Sequence, residues 1–204
     1  FPARRSSDLI DVSGMGIGDF SQIQPLLTQS GLNTQINSFY GSSTETITLQ
    51  NTAVSSLSAA SFIFNTSTNP LTTTGGSFND MIFGGLGNDN LDGATGNDTI
   101  SAGAGNDILT GNGNNDTLTG GAGNDIFVYA ARGYDLDVIT DFTAGDRIDV
   151  SGMGIGDFSQ IQSLISQSGA NAVITSFYGS STETITLQNV TASSLTAASF
   201  IFNT

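Results

Sequence analysis

Between Gly75 and Val128 the chain repeats itself every nine residues, and no other feature constrains its fold as tightly. Cut at that period, the segment reads GGSFNDMIF, GGLGNDNLD, GATGNDTIS, AGAGNDILT, GNGNNDTLT, GGAGNDIFV. Position six is Asp in all six blocks (Asp80, Asp89, Asp98, Asp107, Asp116, Asp125), and Asn precedes each one, at 79, 88, 97, 106, 115 and 124. Position eight is always large and apolar: Ile82, Leu91, Ile100, Leu109, Leu118, Phe127. A period of this length implies stacked units, each too small to bury its apolar face alone. A disordered linker of the same Gly/Asn/Asp-rich composition has no reason to keep an apolar side chain at every ninth position.

Each block divides into a six-residue turn and a three-residue strand. Glycine lets the turn backbone take positive φ at little steric cost. Such tight turns aim backbone carbonyls at one point, where the Asp adds a carboxylate. Oxygen ligands of these two kinds are what a hard cation such as Ca²⁺ prefers. Triplets such as TIS, ILT and TLT are β-branched and apolar enough for a short strand that points its position-eight side chain inward.

The blocks resemble the RTX calcium repeat, GGxGxDxUx. That resemblance implies an all-β fold: a right-handed parallel β-roll in which two blocks make one coil and turns alternate between two edges. One edge would stack Asp80, Asp98 and Asp116, the other Asp89, Asp107 and Asp125. Calcium would sit between neighbouring turns on an edge, which gives about four full sites with weaker half-sites at the ends. The expected ligands are those six Asp with carbonyls of the turn residues Gly85, Gly87, Gly96, Gly103, Gly105, Gly121 and Gly123. Departures from the consensus grade the sites. Phe78 and Asn114 stand where the fourth-position Gly belongs, and Ala94, Ala102 and Asn112 replace Gly at the first two positions. Phe78 makes the first turn doubtful, so the edge of Asp89, Asp107 and Asp125 is expected to be the better formed. Without calcium the repeats are expected to be disordered.

A second, longer repeat organises the rest. Residues 8–66 match residues 146–204 at an offset of 138, with 47 of 59 positions identical. One unit therefore runs from about Ser67 to Thr204, with residues 67–74 as linker, 75–128 as the calcium roll and 129–204 as a mainly-β cap. Residues 10–66 read as the cap of a preceding unit, which makes the chain part of a larger modular protein. The opening FPARRSSDL, residues 1–9, lies outside the repeat and resembles a translated sequencing adaptor. Excluding it removes Arg4 and Arg5, half of the basic residues.

The segment after the repeats, NDIFVYAARGYDLDVITDFTAGDRIDVSGMG, resembles the one that follows them in serralysin-type proteases. Asp137–Phe142 alternates polar and apolar residues, a half-buried strand pattern. Asp157 is placed to cap a helix over 158–167, with Phe158, Ile161, Leu164 and Ile165 on one face and Gly169 as its stop. Strands are expected at 172–178 and 183–188, joined through 179–182, and at 200–202, closing the open end of the roll. Asp141, Asp146 and Asp149 read either as an extra calcium ligand or as solvated loop and strand-end residues. In the family the extreme C-terminus carries the type I (ABC-transporter) secretion signal, which Ala198-Ser199-Phe200-Ile201-Phe202 resembles. The same residues equally suit a plain terminal strand, and Ser61-Phe62-Ile63-Phe64 recurs internally.

Composition narrows the function classes. There is no Cys, so neither disulfides nor thiolate-bound zinc hold the fold. With no His and no Lys, His-based triads, HExxH zinc sites, P-loops and Schiff-base chemistry are excluded. Gly14-Met15-Gly16-Ile17-Gly18 lacks dinucleotide-loop spacing and reads as a loop, while Glu45 and Glu183 read as exposed strand residues. A formal charge of −14 repels nucleic acid and anionic lipid and attracts cations, and six of the sixteen Asp sit at the calcium position. No apolar run is long enough to span a membrane, and no signal peptide is visible. Position three reads Ser77, Leu86, Thr95, Ala104, Gly113, Ala122, which lacks the Thr rank of a flat ice-binding edge. The expected function is a non-catalytic, calcium-folded module of a secreted, extracellular or cell-surface bacterial protein (protease, lipase or adhesin) exported through a type I transporter. The alternatives are a polysaccharide-assisting module of an enzyme such as an alginate epimerase, or a calcium-stiffened adhesin spacer.

Overall fold

The computed structural model describes residues 9–12, 17–37, 46–63, 66–175 and 183–203. The nine-residue period becomes a parallel β-solenoid of eighteen-residue coils, as the partner register shows: Ile108 lies beside Asn90 and Ile126, and Thr117 beside Thr99. Successive blocks alternate between two sheets. One runs in the order Phe200–Ile201, Arg147–Asp149, Ile126–Val128, Ile108–Thr110, Asn90–Asp92, Thr72–Thr74, parallel throughout. The other stacks Met81–Gly85, Thr99–Ala104, Thr117–Ala122, Leu136–Ile139 and Thr184–Leu187 in parallel. It then ends in the antiparallel strands Asn171–Thr175 and Ile165–Ser168. Thr72–Thr74, inside the segment read as a linker, already forms the first strand.

Position eight faces the narrow space between the sheets. Leu91, Ile100, Leu109, Leu118 and Phe127 are fully buried there, and Ile139 and Ile148 continue the same column into the cap. Flanking positions seven and nine point outward, which is why Ile108 is left 38% exposed one residue from a fully buried Leu109.

The cap departs from the expected secondary structure at one place. Asp157 does cap the chain at Phe158, its carboxylate accepting from Ser159 N–H, with Gln160 completing the capping box. Yet the helix over 158–167 is absent: two 3₁₀ turns, Phe158–Gln160 and Gln162–Leu164, lead straight into the strand Ile165–Ser168. Gly169, at φ 61°, turns the hairpin into Asn171–Thr175 and stops no helix. Pairing of Ile165 with Ile174 overrides the local helical spacing. The N-terminal copy carried the warning, because Pro25 stands at the place of Ser163, inside the expected helix. The expected strands at 172–178 and 183–188 are found as Asn171–Thr175 and Thr184–Leu187. Their connection, 176–182, lies outside the described residues, and the final strand is Phe200–Ile201.

The 138-residue repeat is a structural duplication. Ile10 pairs with Phe62 as Ile148 pairs with Phe200, and Leu27 with Ile36 as Ile165 with Ile174. The first copy has its own core of Val12, Ile17, Ile23, Leu26, Leu27, Ile36, Leu57 and Phe62, which Phe83 of the first coil joins. Among the described residues its strand Thr46–Leu49 is an edge, whereas Thr184–Leu187 pairs with the roll. Ile47 is accordingly 40% exposed where Ile185 is fully buried. Residues 1–8, 13–16, Glu45 and Thr204 lie outside the described residues, so the adaptor reading and most of the Gly14–Gly18 loop have no structural counterpart.

Candidate metal centre

Turns of successive coils lie directly on one another, and the sequence permits this through its small residues. Gly121 illustrates the constraint: its φ is 96°, and a Cβ there would run into the carbonyl oxygen of Gly103 in the coil below. Gly85, Gly103 and Gly121 form one column on the edge of Asp89, Asp107 and Asp125, and Gly87, Gly105 and Gly123 form a second. Gly96 sits on the opposite edge above Phe78. The substitutions in the consensus keep the backbone shape, since Ala94, Asn112 and Asn114 all hold positive φ, of 72°, 69° and 81°. Asn tolerates that region well, while Ala94 carries strain.

The invariant Asn-Asp pair has a structural use that its sequence pattern did not reveal. From the second coil on, each Asp Oδ1 accepts the backbone N–H of the Asp one coil earlier: Asp80 donates to Asp98, Asp98 to Asp116, Asp89 to Asp107 and Asp107 to Asp125, all at 2.7–2.9 Å. The Asn column runs the other way, Oδ1 of Asn79, Asn88, Asn97 and Asn106 accepting from the Asn one coil later and that of Asn115 from Leu136 N–H. Two antiparallel ladders of side-chain-to-backbone bonds therefore clamp each edge.

The Asp ladders run beyond the nonapeptides. Asp116 N–H donates to Asp137 Oδ1 and Asp125 N–H to Asp146 Oδ1, both at 2.9 Å. The sequence reading placed Asp137 on the polar side of a half-buried strand, but it is 1% exposed and holds position six of the next coil. It was missed because the spacing lengthens from 18 to 21 residues, although Asp137-Val-Ile139 and Asp146-Arg-Ile148 keep the Asp-x-apolar signature. Of the three Asp read as an extra ligand or as solvated loop and strand-end residues, Asp149 does end a strand and is half-exposed, Asp141 is half-buried, and Asp146 is buried. Asp141 accepts from Gly120 and Gly121 N–H, Asp146 from Thr143 N–H and Oγ1 as well as Asp125, and Asp149 from Ser151 N–H. Glu183, read as exposed, is buried and accepts from Gly133 N–H at 2.6 Å.

One oxygen of most ladder carboxylates is left over. Oδ2 of Asp89, Asp98, Asp107, Asp116 and Asp125 is buried with no hydrogen-bond partner among the described residues, while the buried Asp137 carboxyl faces the Tyr129 hydroxyl, which favours its charged form. Burial pushes Asp107 and Asp116 up to about 7, Asp125 to about 6 and Asp137 to about 8, with Asp89 and Asp98 also raised. The neighbouring backbone N–H donors oppose this shift without cancelling it. Asp80 differs: it is half-buried and its Oδ2 accepts from Gly76 N–H. A row of buried, unpartnered anionic oxygens is costly unless protons or cations balance it. No three carboxylates gather as a cluster among the described residues, so an ion here would take Asp oxygens from neighbouring coils together with turn carbonyls. All available donors are oxygen, which suits a hard divalent cation.

Comparison with known proteins agrees with this chemistry. The family model for the RTX calcium-binding nonapeptide repeat, in four copies, matches residues 74–100 and 92–127. The AlgE6R2 subunit from the Azotobacter vinelandii mannuronan C5-epimerase is similar at 26% identity with a TM-score of 0.52, over 67% of this chain and 94% of that one. The extracellular lipase LipA from Serratia marcescens shares the fold at 15% identity and a TM-score of 0.52, over 95% of this chain and 32% of that one. No curated protein sequence matches the chain.

Proposed function

We propose that this chain, whose residues 74–127 match the RTX calcium-binding nonapeptide repeat and form a parallel β-roll, is a module that folds when calcium fills its turns outside the cell. The observation that carries the reading is the row of buried Asp Oδ2 atoms without partners. Asp89, Asp107 and Asp125 would hold ions on one edge, and Asp80, Asp98 and Asp116 on the other, together with the carbonyls of Gly85, Gly87, Gly96, Gly103, Gly105, Gly121 and Gly123. About four ions fit between these turns. Asp80, whose Oδ2 already accepts from Gly76, is the weakest of the six, and Asp137 adds a further carboxylate to its edge.

Bound calcium supplies charge neutralisation and a cross-link between coils. The chain's own contribution is to preposition the oxygens by the Asn and Asp ladders. Extracellular calcium modules bind at ~0.1–1 mM. Ten-fold excess calcium then contributes roughly 1.4 kcal/mol per site, or about 5–6 kcal/mol for four. A typical domain has only ~5–15 kcal/mol in total. At cytosolic calcium that contribution vanishes and repulsion between stacked Asp remains. This suits a protein exported unfolded through a type I ABC transporter as the C-terminal part of a larger secreted bacterial protease, lipase or adhesin, with no catalysis in this segment. Equilibrium dialysis with ⁴⁵Ca tests the binding claim: about four ions per chain are expected, and fewer than one at millimolar calcium sinks it.

A second reading has one specific observation behind it, the likeness to a subunit of a mannuronan C5-epimerase across 94% of that subunit. On that reading the module assists a polysaccharide-modifying enzyme. The charge of −14 then makes calcium the bridge to an anionic polymer. Retention on immobilised alginate in calcium, and not in chelator, favours this reading; flow-through in both favours the export module or a calcium-stiffened spacer.

A further inference from the structure

The two caps are nearly identical in sequence but use one face differently. In the N-terminal cap Gly18 and Gln22 are buried against the outside of the first coils. A Cβ on Gly18 would lie 2.9 Å from the carbonyl carbon and oxygen of Gly85. Gln22 Nε2 donates to Ser101 O at 2.9 Å, while its Oε1 accepts from Gly18 N–H at 2.6 Å. Phe83 belongs to the same contact. It occupies the outward position nine, which is Asp92, Ser101, Thr110, Thr119 and Val128 in the other blocks, yet it is only 8% exposed because the cap covers it.

In the C-terminal cap Gly156 and Gln160 are the matching residues, with the same internal bond, Gly156 N–H to Gln160 Oε1 at 2.6 Å. Both are exposed, and a Cβ on Gly156 would meet nothing closer than 3.6 Å. The face that is used in one copy is therefore built and open in the other. We propose that the Gly156–Gln160 face is a docking surface for the first two coils of another copy of this roll, received through Phe83, Gly85 and Ser101. Each cap is then a two-sided joint: one side closes its own roll through Arg147–Asp149 and Thr184–Leu187, and the other seats the start of the next. Successive units become fixed in orientation instead of hanging on a loose linker. A weak contact suffices in tandem units, because a short connection holds the two surfaces at millimolar effective concentration. The proposal rests on the duplicated fold, not on the number of ions bound.

The test is an NMR titration in saturating calcium. The ¹⁵N-labelled full chain receives unlabelled Gly18→Leu chain, whose N-terminal cap cannot seat and whose first two coils are therefore open. Amide shifts are expected at 155–160 of the labelled chain, growing up to millimolar partner. They are expected to vanish with unlabelled wild-type chain, whose first two coils are covered, and with Gly156→Leu in the labelled chain. Absence of shifts at 155–160 overturns the proposal. So do shifts of equal size with the wild-type partner or in Gly156→Leu, which would mean nonspecific adhesion or a different occupant. If Gly18→Leu does not fold, residues 67–204, whose core contains no side chain from the first 66 residues, serve as the open-coil probe with the same outcomes.

Discussion

Replacing Asp107 with Asn should change the sign of its effect with calcium. Asp107 Oδ1 accepts the Asp89 N–H at 2.7 Å, a bond that the Asn carbonyl keeps, so the ladder survives. What changes is Oδ2, buried and unpartnered, on a carboxyl that burial pushes up to about 7. In chelator at pH 8 the wild-type roll must hold that charge. A shift of three units corresponds to ~4 kcal/mol at most; discounted for solvent screening at a turn edge, about 1–2 kcal/mol remains. The Asn variant should be more stable than wild type by that amount under those conditions. In ten-fold excess calcium the balance should invert, because Asp107 lies between Asp89 and Asp125 and would serve two of the proposed ion positions. Losing both costs roughly 3 kcal/mol. The assay, read by far-UV circular dichroism, is urea unfolding in calcium and, because the calcium-free chain is expected to be unfolded, osmolyte-induced folding in chelator. Destabilisation of the same size in both conditions would show Asp107 to be a structural hydrogen-bond acceptor and refute the reasoning.

Three further outcomes follow from the same geometry. The raised carboxyls, at about 6 for Asp125, about 7 for Asp107 and Asp116 and about 8 for Asp137, bind more protons folded than unfolded between about pH 4 and 8. The metal-free roll should therefore be most stable below about pH 4 and lose stability as pH rises through about 6–8; a chelated protein that gains β signal with rising pH would contradict this. Gly121→Ala meets the Gly103 carbonyl at φ 96° and should cost about 3 kcal/mol or more by urea midpoint in calcium. Gly169→Ala, at φ 61° with nothing within 4 Å, should cost about 1 kcal/mol; equal losses would refute the stacking argument. Leu118→Ala, fully buried, should cost ~2–5 kcal/mol, and Ile108→Ala, 38% exposed, under about 1 kcal/mol, both read as thermal-melt shifts in calcium.

The coil length, the two sheets, the two Asp edges and the inward column were all legible in the sequence, because a strict period leaves few ways to stack. Reading failed where the period changed. Asp137 and Asp146 hold position six at a spacing of 21, and a reader bound to nine takes them for ordinary strand and loop residues. The Asn column was visible but mute, since its partner is a backbone N–H of the next coil and no residue-type pattern records that. The expected helix at 158–167 failed for another reason: pairing of Ile165–Ser168 with Asn171–Thr175 outweighs a local apolar spacing. Glu183 and Phe83 show the same limit, as each is buried by a segment distant in sequence.

Calcium titration of the full chain at pH 7.5, followed by far-UV circular dichroism, decides whether the ions fold the roll. A cooperative gain of β signal is expected near ~1 mM free calcium, reversed by chelator. A spectrum identical in chelator and in saturating calcium would contradict it.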